Sequence, residues 1–202
     1  MPTICPKRAA LFARRCATRS LLAGAALTGA PLAGAADFSV GVGAGADRGR
    51  VDCVASFPCE RSSTHAKLYA GYQLSQTIDL QIVYFDGGSF RGGDTTPLGT
   101  EFGGKFKVNG LGLSAGYRWA FAPAWSLSGR AGLASVRTHF DHANPVWGSA
   151  SQTTTQPLLG VGVAYAITPT IRLGLDYDMT RFKVHTTRGP LQMLGLAAQF
   201  SF

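Results

Sequence analysis

Four histidines and a handful of serines are the residues whose types invite catalysis. His65, His139, His142 and His185 accompany Ser62, Ser63, Ser89, Ser149 and Ser151. A nucleophilic site needs a serine and a base held together at one rim. The stretch His139-Phe-Asp-His142 sets a base and a carboxylate two residues apart, on one face of a strand, a spacing that a metal ion also accepts. It carries no serine at a matching position on its own strand. All of these residues fall in segments that read as polar loops, where histidine and serine are ordinary solvated side chains. The expectation is therefore no catalytic residue, no metal ligand and no cofactor.

The cysteines offer different chemistry. Cys5 and Cys16 lie in the basic N-terminal stretch, while Cys53 and Cys59 stand close together in a polar segment. An even pair in an exported chain favours a disulfide. The alternative is a metal site, for which His65 is the one nearby ligand and no second cysteine pair stands at ligand spacing.

Export is read from the first thirty-six residues. Lys7, Arg8, Arg14, Arg15 and Arg19 precede a short apolar run, 21–30, and no acid occurs before Asp37. Pro31 then breaks the run, and Ala33-Gly34-Ala35-Ala36 offers small residues for signal peptidase. The reading is a signal peptide over 1–35, cleaved after Ala35 or Ala36, and a mature domain over 36–202. Five of the 19 basic residues sit in that leader, so 14 remain against 11 acids, a balance of roughly +3. No basic stripe with interleaved aromatics survives, which excludes nucleic acid as a partner.

What must position any site is a set of strands. Charged residues are 15% of the chain, against about 25% in soluble domains, and glycine numbers 26. No uncharged apolar run reaches the ~20 residues of a membrane helix. Period-two alternation recurs instead over 38–46, 67–74, 78–84, 111–119, 125–133, 159–167, 171–179 and 194–202. Tight turns alternate with four long polar connections, 47–64, 87–105, 138–153 and 181–190. The fold class is all-β: an eight-stranded antiparallel up-and-down transmembrane β-barrel after a cleaved signal peptide.

Two features put the apolar face outside. The second face is rich in Gly, Ala and Ser, which suits the narrow lumen of an eight-stranded barrel. Tyr72, Tyr117, Trp119, Trp125 and Tyr165 collect near the tight turns, as amphipathic rings do at membrane interfaces. The inward register then gathers Lys67, Asp79, Arg118, Arg130, Arg172, Asp176 and Asp178. These should pair, with Arg118, Arg130 and Arg172 at the centre and Asp176 and Asp79 as acceptors, because an unpaired charge there is costly. The competing reading is separate charges along a water column.

The stretches 67–86 (KLYAGYQLSQTIDLQIVYFD) and 159–173 (LGVGVAYAITPTIRL), with the C-terminal LGLAAQFSF, resemble the OmpA-type transmembrane β-barrel family of small outer-membrane proteins. The resemblance covers 38–202 and lacks the peptidoglycan-binding domain of longer members. It implies residence in a Gram-negative outer membrane, with external loops, periplasmic turns and contact with lipopolysaccharide. It also implies that Phe200 and Phe202 serve as the signal read by the barrel assembly machinery. Lys105, Lys107, Arg181 and Lys183 are candidate lipopolysaccharide contacts, since both residue types bind phosphate. A non-enzymatic envelope scaffold or surface-interaction protein is the expected function. A lipid A-modifying enzyme and a narrow solute pore are the alternatives, and no surface partner is legible.

Overall fold

A computed structural model describes residues 38–95, 101–144, 146, 148–184 and 187–202. The expected leader, with its cleavage positions, lies outside the described residues, as does His185. Eight strands follow in order: β1 (Phe38–Gly49), β2 (Ser62–Gln73), β3 (Ile78–Thr95), β4 (Glu101–Ala120), β5 (Trp125–His142), β6 (Ser149–Ala166), β7 (Ile171–Val184) and β8 (Thr187–Ser201). Each pairs antiparallel with its sequence neighbours, and β8 returns to β1, closing the barrel. Closure removes both sheet edges and satisfies the backbone between strands, as a lipid setting demands.

The seam is sealed at the tight-turn end. Phe202 N donates to Phe38 O at 2.9 Å, and the Phe202 ring lies between Phe38 and Phe200, with centroids 6.5 and 6.0 Å away. Two tight turns are closed alike by a hydroxyl. Ser75 Oγ accepts from Ile78 N at 3.1 Å, and Thr168 Oγ1 accepts from Ile171 N at 2.9 Å. Such side-chain acceptors hold a chain reversal without demanding unusual backbone angles.

Apolar side chains form an outward belt: Val42, Leu68, Ile82, Leu113, Leu133, Val161, Leu175 and Leu196 are all exposed. Tyr72, Trp119, Trp125 and Tyr165 rim it near the tight turns. Trp125 and Tyr165, register partners, have centroids 5.1 Å apart. An apolar exterior over a polar interior is the membrane-spanning arrangement.

Toward the loop end the structure departs from the sequence-based expectation. Strands continue well into the segments read as loops. β3, β5 and β6 have 18 residues each and β4 has 20, whereas β1 and β2 have 12. Crossing the hydrocarbon takes about 9–11 tilted residues, so one wall of the barrel, β3–β6, stands far above the belt. There the faces invert. Lys107, Arg137 and Thr153 point outward, while Phe85, Phe90, Phe106, Val108, Val136, Phe140, Phe182 and Leu191 fill the interior. Outside lipid a sheet buries its apolar face within, as any soluble barrel does.

A bulge lets β3 join this inversion. Phe85 and Phe90 are five residues apart, so a regular strand would put them on opposite faces. The register slips between Asp86 and Ser89, and Gly88 adopts φ +63°. Asp86 Oδ1 accepts from Gly88 N at 3.0 Å, and Ser63 Oγ of β2 accepts from Ser89 N at 3.0 Å. A side chain at Gly88 would run into Ser63 and the Thr64 carbonyl. One extra residue thus turns both phenylalanines inward.

Candidate functional site

The lumen is closed at two levels. At mid-height Lys67 of β2, Arg130 of β5 and Asp176 and Asp178 of β7 meet, although no two of these strands are neighbours in the sheet. Lys67 Nζ lies 2.8 Å from Asp176 Oδ2 and 2.6 Å from Asp178 Oδ2. Arg130 Nη2 lies 3.3 Å from Asp176 Oδ1 and 2.9 Å from Asp178 Oδ1. Two cations and two carboxylates balance, and all four are nearly or wholly buried. Each carboxylate bridges both cations, so the cluster ties three separated strands across the lumen with charge-assisted hydrogen bonds.

Glycines on the neighbouring strand make room for these groups. Gly160 and Gly162 of β6 are the register partners of Asp178 and Asp176. A Cβ at either would collide with the facing carboxylate. The small-residue inner face is therefore the complement of the large charged groups beside it.

The remaining expected members lie lower. Arg118 Nη2 stands 4.0 Å from Asp79 Oδ1, at the limit of an ion pair. Arg172 has no carboxylate within ion-pair distance among the described residues. These groups border a space of about 40 Å³ that Tyr69, Gln81, Ser128 and Gln199 also line, room for a few waters. The arrangement thus differs from the expected one. Its centre is Lys67 and Arg130 with Asp176 and Asp178, and the arginines nearer the turns are peripheral.

Above the cluster sits the apolar plug that sequence reasoning missed. Phe106 and Phe140 meet with ring centroids 4.5 Å apart. The β1–β2 connection folds over the mouth as a cap. Val51 is buried within it, Gly93 N donates to Asp52 O at 3.0 Å, and Glu60 and Arg91 exchange backbone hydrogen bonds of 2.9 and 3.0 Å. Phe57 covers Gly103, where a Cβ would meet its ring. Cys53 and Cys59 are joined by a disulfide inside this cap, their Cα atoms 5.7 Å apart.

The candidate catalytic residues among those described are strand residues, contrary to the loop assignment. His65 is buried and faces the lumen from β2. His139 faces outward from β5 and pairs with Asp141, Nε2 to Oδ1 3.0 Å. Ser151 stands directly opposite on β6, where its hydroxyl accepts from Arg137 Nε at 3.1 Å. His139, Asp141 and Ser151 are adjacent on one exposed face, with the serine engaged by the arginine. Among the described residues no cluster of three or more His, Cys, Asp or Glu side chains is placed to hold a metal.

The candidate phosphate contacts divide between two flanks. Lys105 and Lys107 stand on the tall wall, in register with Asp141 and His139. Arg181 and Lys183 stand on β7, paired with Pro190 and Arg188 of β8. A group of three arginines lies beside the latter. Arg48, Arg50 and Arg61 line a cleft of about 390 Å³ with Val51, Asp52, Pro190 and Gln192.

Comparison with known proteins supplies the setting. The family model of the OmpA-like transmembrane domain matches residues 33–187. Neisserial surface protein A is a solved structure similar to this chain, with a TM-score of 0.60 and 18% identity over 82% of this chain and 97% of that one. The N-terminal β-barrel domain of Pseudomonas aeruginosa OprF gives a TM-score of 0.51 at 19% identity, over 81% and 97%. The Yersinia pestis attachment invasion locus protein Ail, in complex with the heparin analogue sucrose octasulfate, gives 0.50 at 18%, over 81% and 97%. At these identities the likeness is one of fold. No curated protein sequence matches the chain.

Proposed function

The chain belongs to the OmpA-like transmembrane domain family, and we propose that this outer-membrane β-barrel is a non-enzymatic envelope protein whose loop end is its interacting surface. The observation that carries the proposal is the doubly closed lumen. An ion cluster and an aromatic plug lie in series on the one path a solute would take. What the molecule offers its surroundings is then its exterior, including the polar face of the β3–β6 wall above the belt. In this reading the loop end is extracellular and the tight turns are periplasmic, following the family's usual asymmetry. The leader is removed after Ala35 or Ala36. Phe200 and Phe202, which seal the β8–β1 seam, are the residues the assembly machinery engages.

A Gram-negative host expressing the chain tests the proposal. The protein should appear in the outer-membrane fraction and migrate differently before and after boiling. The lipid A mass profile should stay unchanged on its expression. A soluble periplasmic protein with one mobility would overturn the membrane assignment. A change in lipid A acylation that disappears with His139→Ala would overturn the non-enzymatic one.

A further inference from the structure

Within the belt the sheet is closed, but above it the seam between β6 and β7 is not. The β6–β7 ladder ends at Leu159 and Met179, while β6 stays in register with β5 as far as Ser149 and β7 with β8 as far as Val184. Pro157 marks the parting. It has no N–H to donate, and its carbonyl accepts from the Thr180 hydroxyl at 3.0 Å. Above Leu159 the outward face of β6 carries Pro157, Thr155, Thr153, Ser151 and Ser149, so the open stretch stands clear of the apolar belt.

The open side of β6 follows from its hydrogen bonds. Ala166 N donates to Ala124 O, just before β5, and Ile167 N donates to Ile171 O at the start of β7. Alternate residues of a strand address opposite neighbours. Even-numbered residues of β6 therefore bond toward β5, and odd-numbered ones address β7. Ser149, Ser151, Thr153 and Thr155 thus turn their backbone N–H and C=O groups to the open side, where no strand of the described residues pairs with them. Natural sheet edges are blunted by lysine, proline or a bulge. The stretch 149–156, SASQTTTQ, has no charge, no proline and no register break against β5. It is a threonine-rich strand, well suited to a sheet, with half of its ladder unmade.

What fills such an edge is an extended backbone, because its donors and acceptors recur about every 7 Å, as those of the edge do. Charge selects among extended segments. Arg181 and Lys183 stand on the outward face of β7, across the open seam. Neither has a carboxylate within ion-pair distance among the described residues. Arg137, the β5 register partner of Thr153, is exposed on the same face. A strand added to β6 lies between these cations, so acidic residues at its alternate outward positions are favoured. Its inward positions meet Thr154 and Gln156, whose side chains bond to one another at 3.1 Å, and suit uncharged residues.

We propose that the β6 edge Ser149–Thr155 accepts an extended segment of another protein as an added antiparallel strand, with acidic residues at the positions that face outward beside Arg181 and Lys183. The proposal rests on the loop end being the interacting surface. A second copy in the same membrane does not fit. The two-fold axis of an antiparallel pair is perpendicular to the sheet, and it would turn that copy upside down.

The test uses the mature chain refolded in phosphocholine micelles and the fluorescence anisotropy of labelled synthetic peptides. One peptide alternates Glu with Val or Thr, and its counterpart has Lys in place of Glu. In an antiparallel pair, the residues whose side chains share a face with Thr153 are those whose backbone meets the edge. Methylating the Glu amide nitrogens should therefore weaken binding about tenfold or more, while methylating the Val and Thr amides should leave it within about twofold. T153P removes one edge N–H without touching the β5 ladder, and should weaken binding as the Glu methylation does, in protein whose heat-dependent mobility is native. R181E/K183E should reverse the preference for Glu over Lys. Equal effects of the two methylation patterns would overturn the proposal, as would full binding by folded T153P, a Glu preference that survives R181E/K183E, or no binding of the Glu peptide. If T153P does not fold, the two methylated peptides on the native chain decide. A change in lipid A acylation on expression would defeat the non-enzymatic reading and leave the peptide result standing, so the two failures are distinguishable.

Discussion

The Lys67 ammonium of β2 lies 2.6 Å from the Asp178 carboxylate of β7, across a lumen in which β1 and β8 separate the two strands. Arg130 reaches the other oxygen of the same carboxylate at 2.9 Å. The barrel is therefore braced through its interior as well as around its wall. Removing one member leaves the rest charged and without their partner. Asp178→Ala or Asp176→Ala should lower barrel stability by about 3–5 kcal/mol, read as a fall in the denaturant midpoint in micelles. Asp79→Ala should cost under about 1 kcal/mol, because its pair with Arg118 is long and borders water. Equal effects at Asp79 and Asp178 would contradict the dry cluster.

The plug should matter as much as the charges. Phe140 is 3% exposed and packs on Phe106. Phe140→Ala should cost about 3–5 kcal/mol, the range for an aromatic removed from a packed core. A midpoint unmoved by that substitution would mean that the upper barrel is loose and wet.

The bulge offers a narrower test. Gly88→Ala adds one methyl group at a positive φ, against Ser63 and Thr64. It should destabilise the barrel by about 1–3 kcal/mol, and should raise amide hydrogen exchange along β3 above Asp86 more than below it. Uniform exchange along β3 would show that the bulge does not set the phase of the upper strand.

The Cys53–Cys59 bridge should be a local constraint. Mass spectrometry of the unreduced chain should show two hydrogens fewer than the dithiol. Cys53→Ser/Cys59→Ser should leave heat-dependent mobility intact while making the β1–β2 cap sensitive to protease, because a short loop bears most of the effect of its own closure. Two free thiols in purified outer membranes would contradict the disulfide.

Much of this fold was legible in the sequence, and the reasons for the rest are physical. Period two placed Leu68 and Tyr72 outside and Lys67 and Tyr69 inside, as the structure has them. It faltered where lipid ends, because there the same alternation changes meaning. In the stretch 134–141, Val136 and Phe140 alternate with Arg137 and His139, which is a strand pattern in inverted phase. Polarity alone makes such a stretch look like a loop. The lumen charges were legible as a set but not as a network. Which of them meet depends on the register of strands that do not touch, and Lys67 reaches Asp178 only because closure and tilt bring β2 and β7 to one height. The arginine cleft was not legible as a cleft, because Arg48 comes from the end of β1 and Arg50 and Arg61 from opposite ends of the β1–β2 connection. Only the hydrogen bonds of that connection bring the three together.

The central claim is that the lumen is closed at two levels, and a planar-bilayer recording of the mature chain tests it most directly. The native barrel should pass no steady ionic current, and joint loss of the cluster and the plug, in Asp178→Ala with Phe140→Ala, should allow discrete conductance steps in whatever fraction stays folded. A steady current through the native barrel would contradict the account.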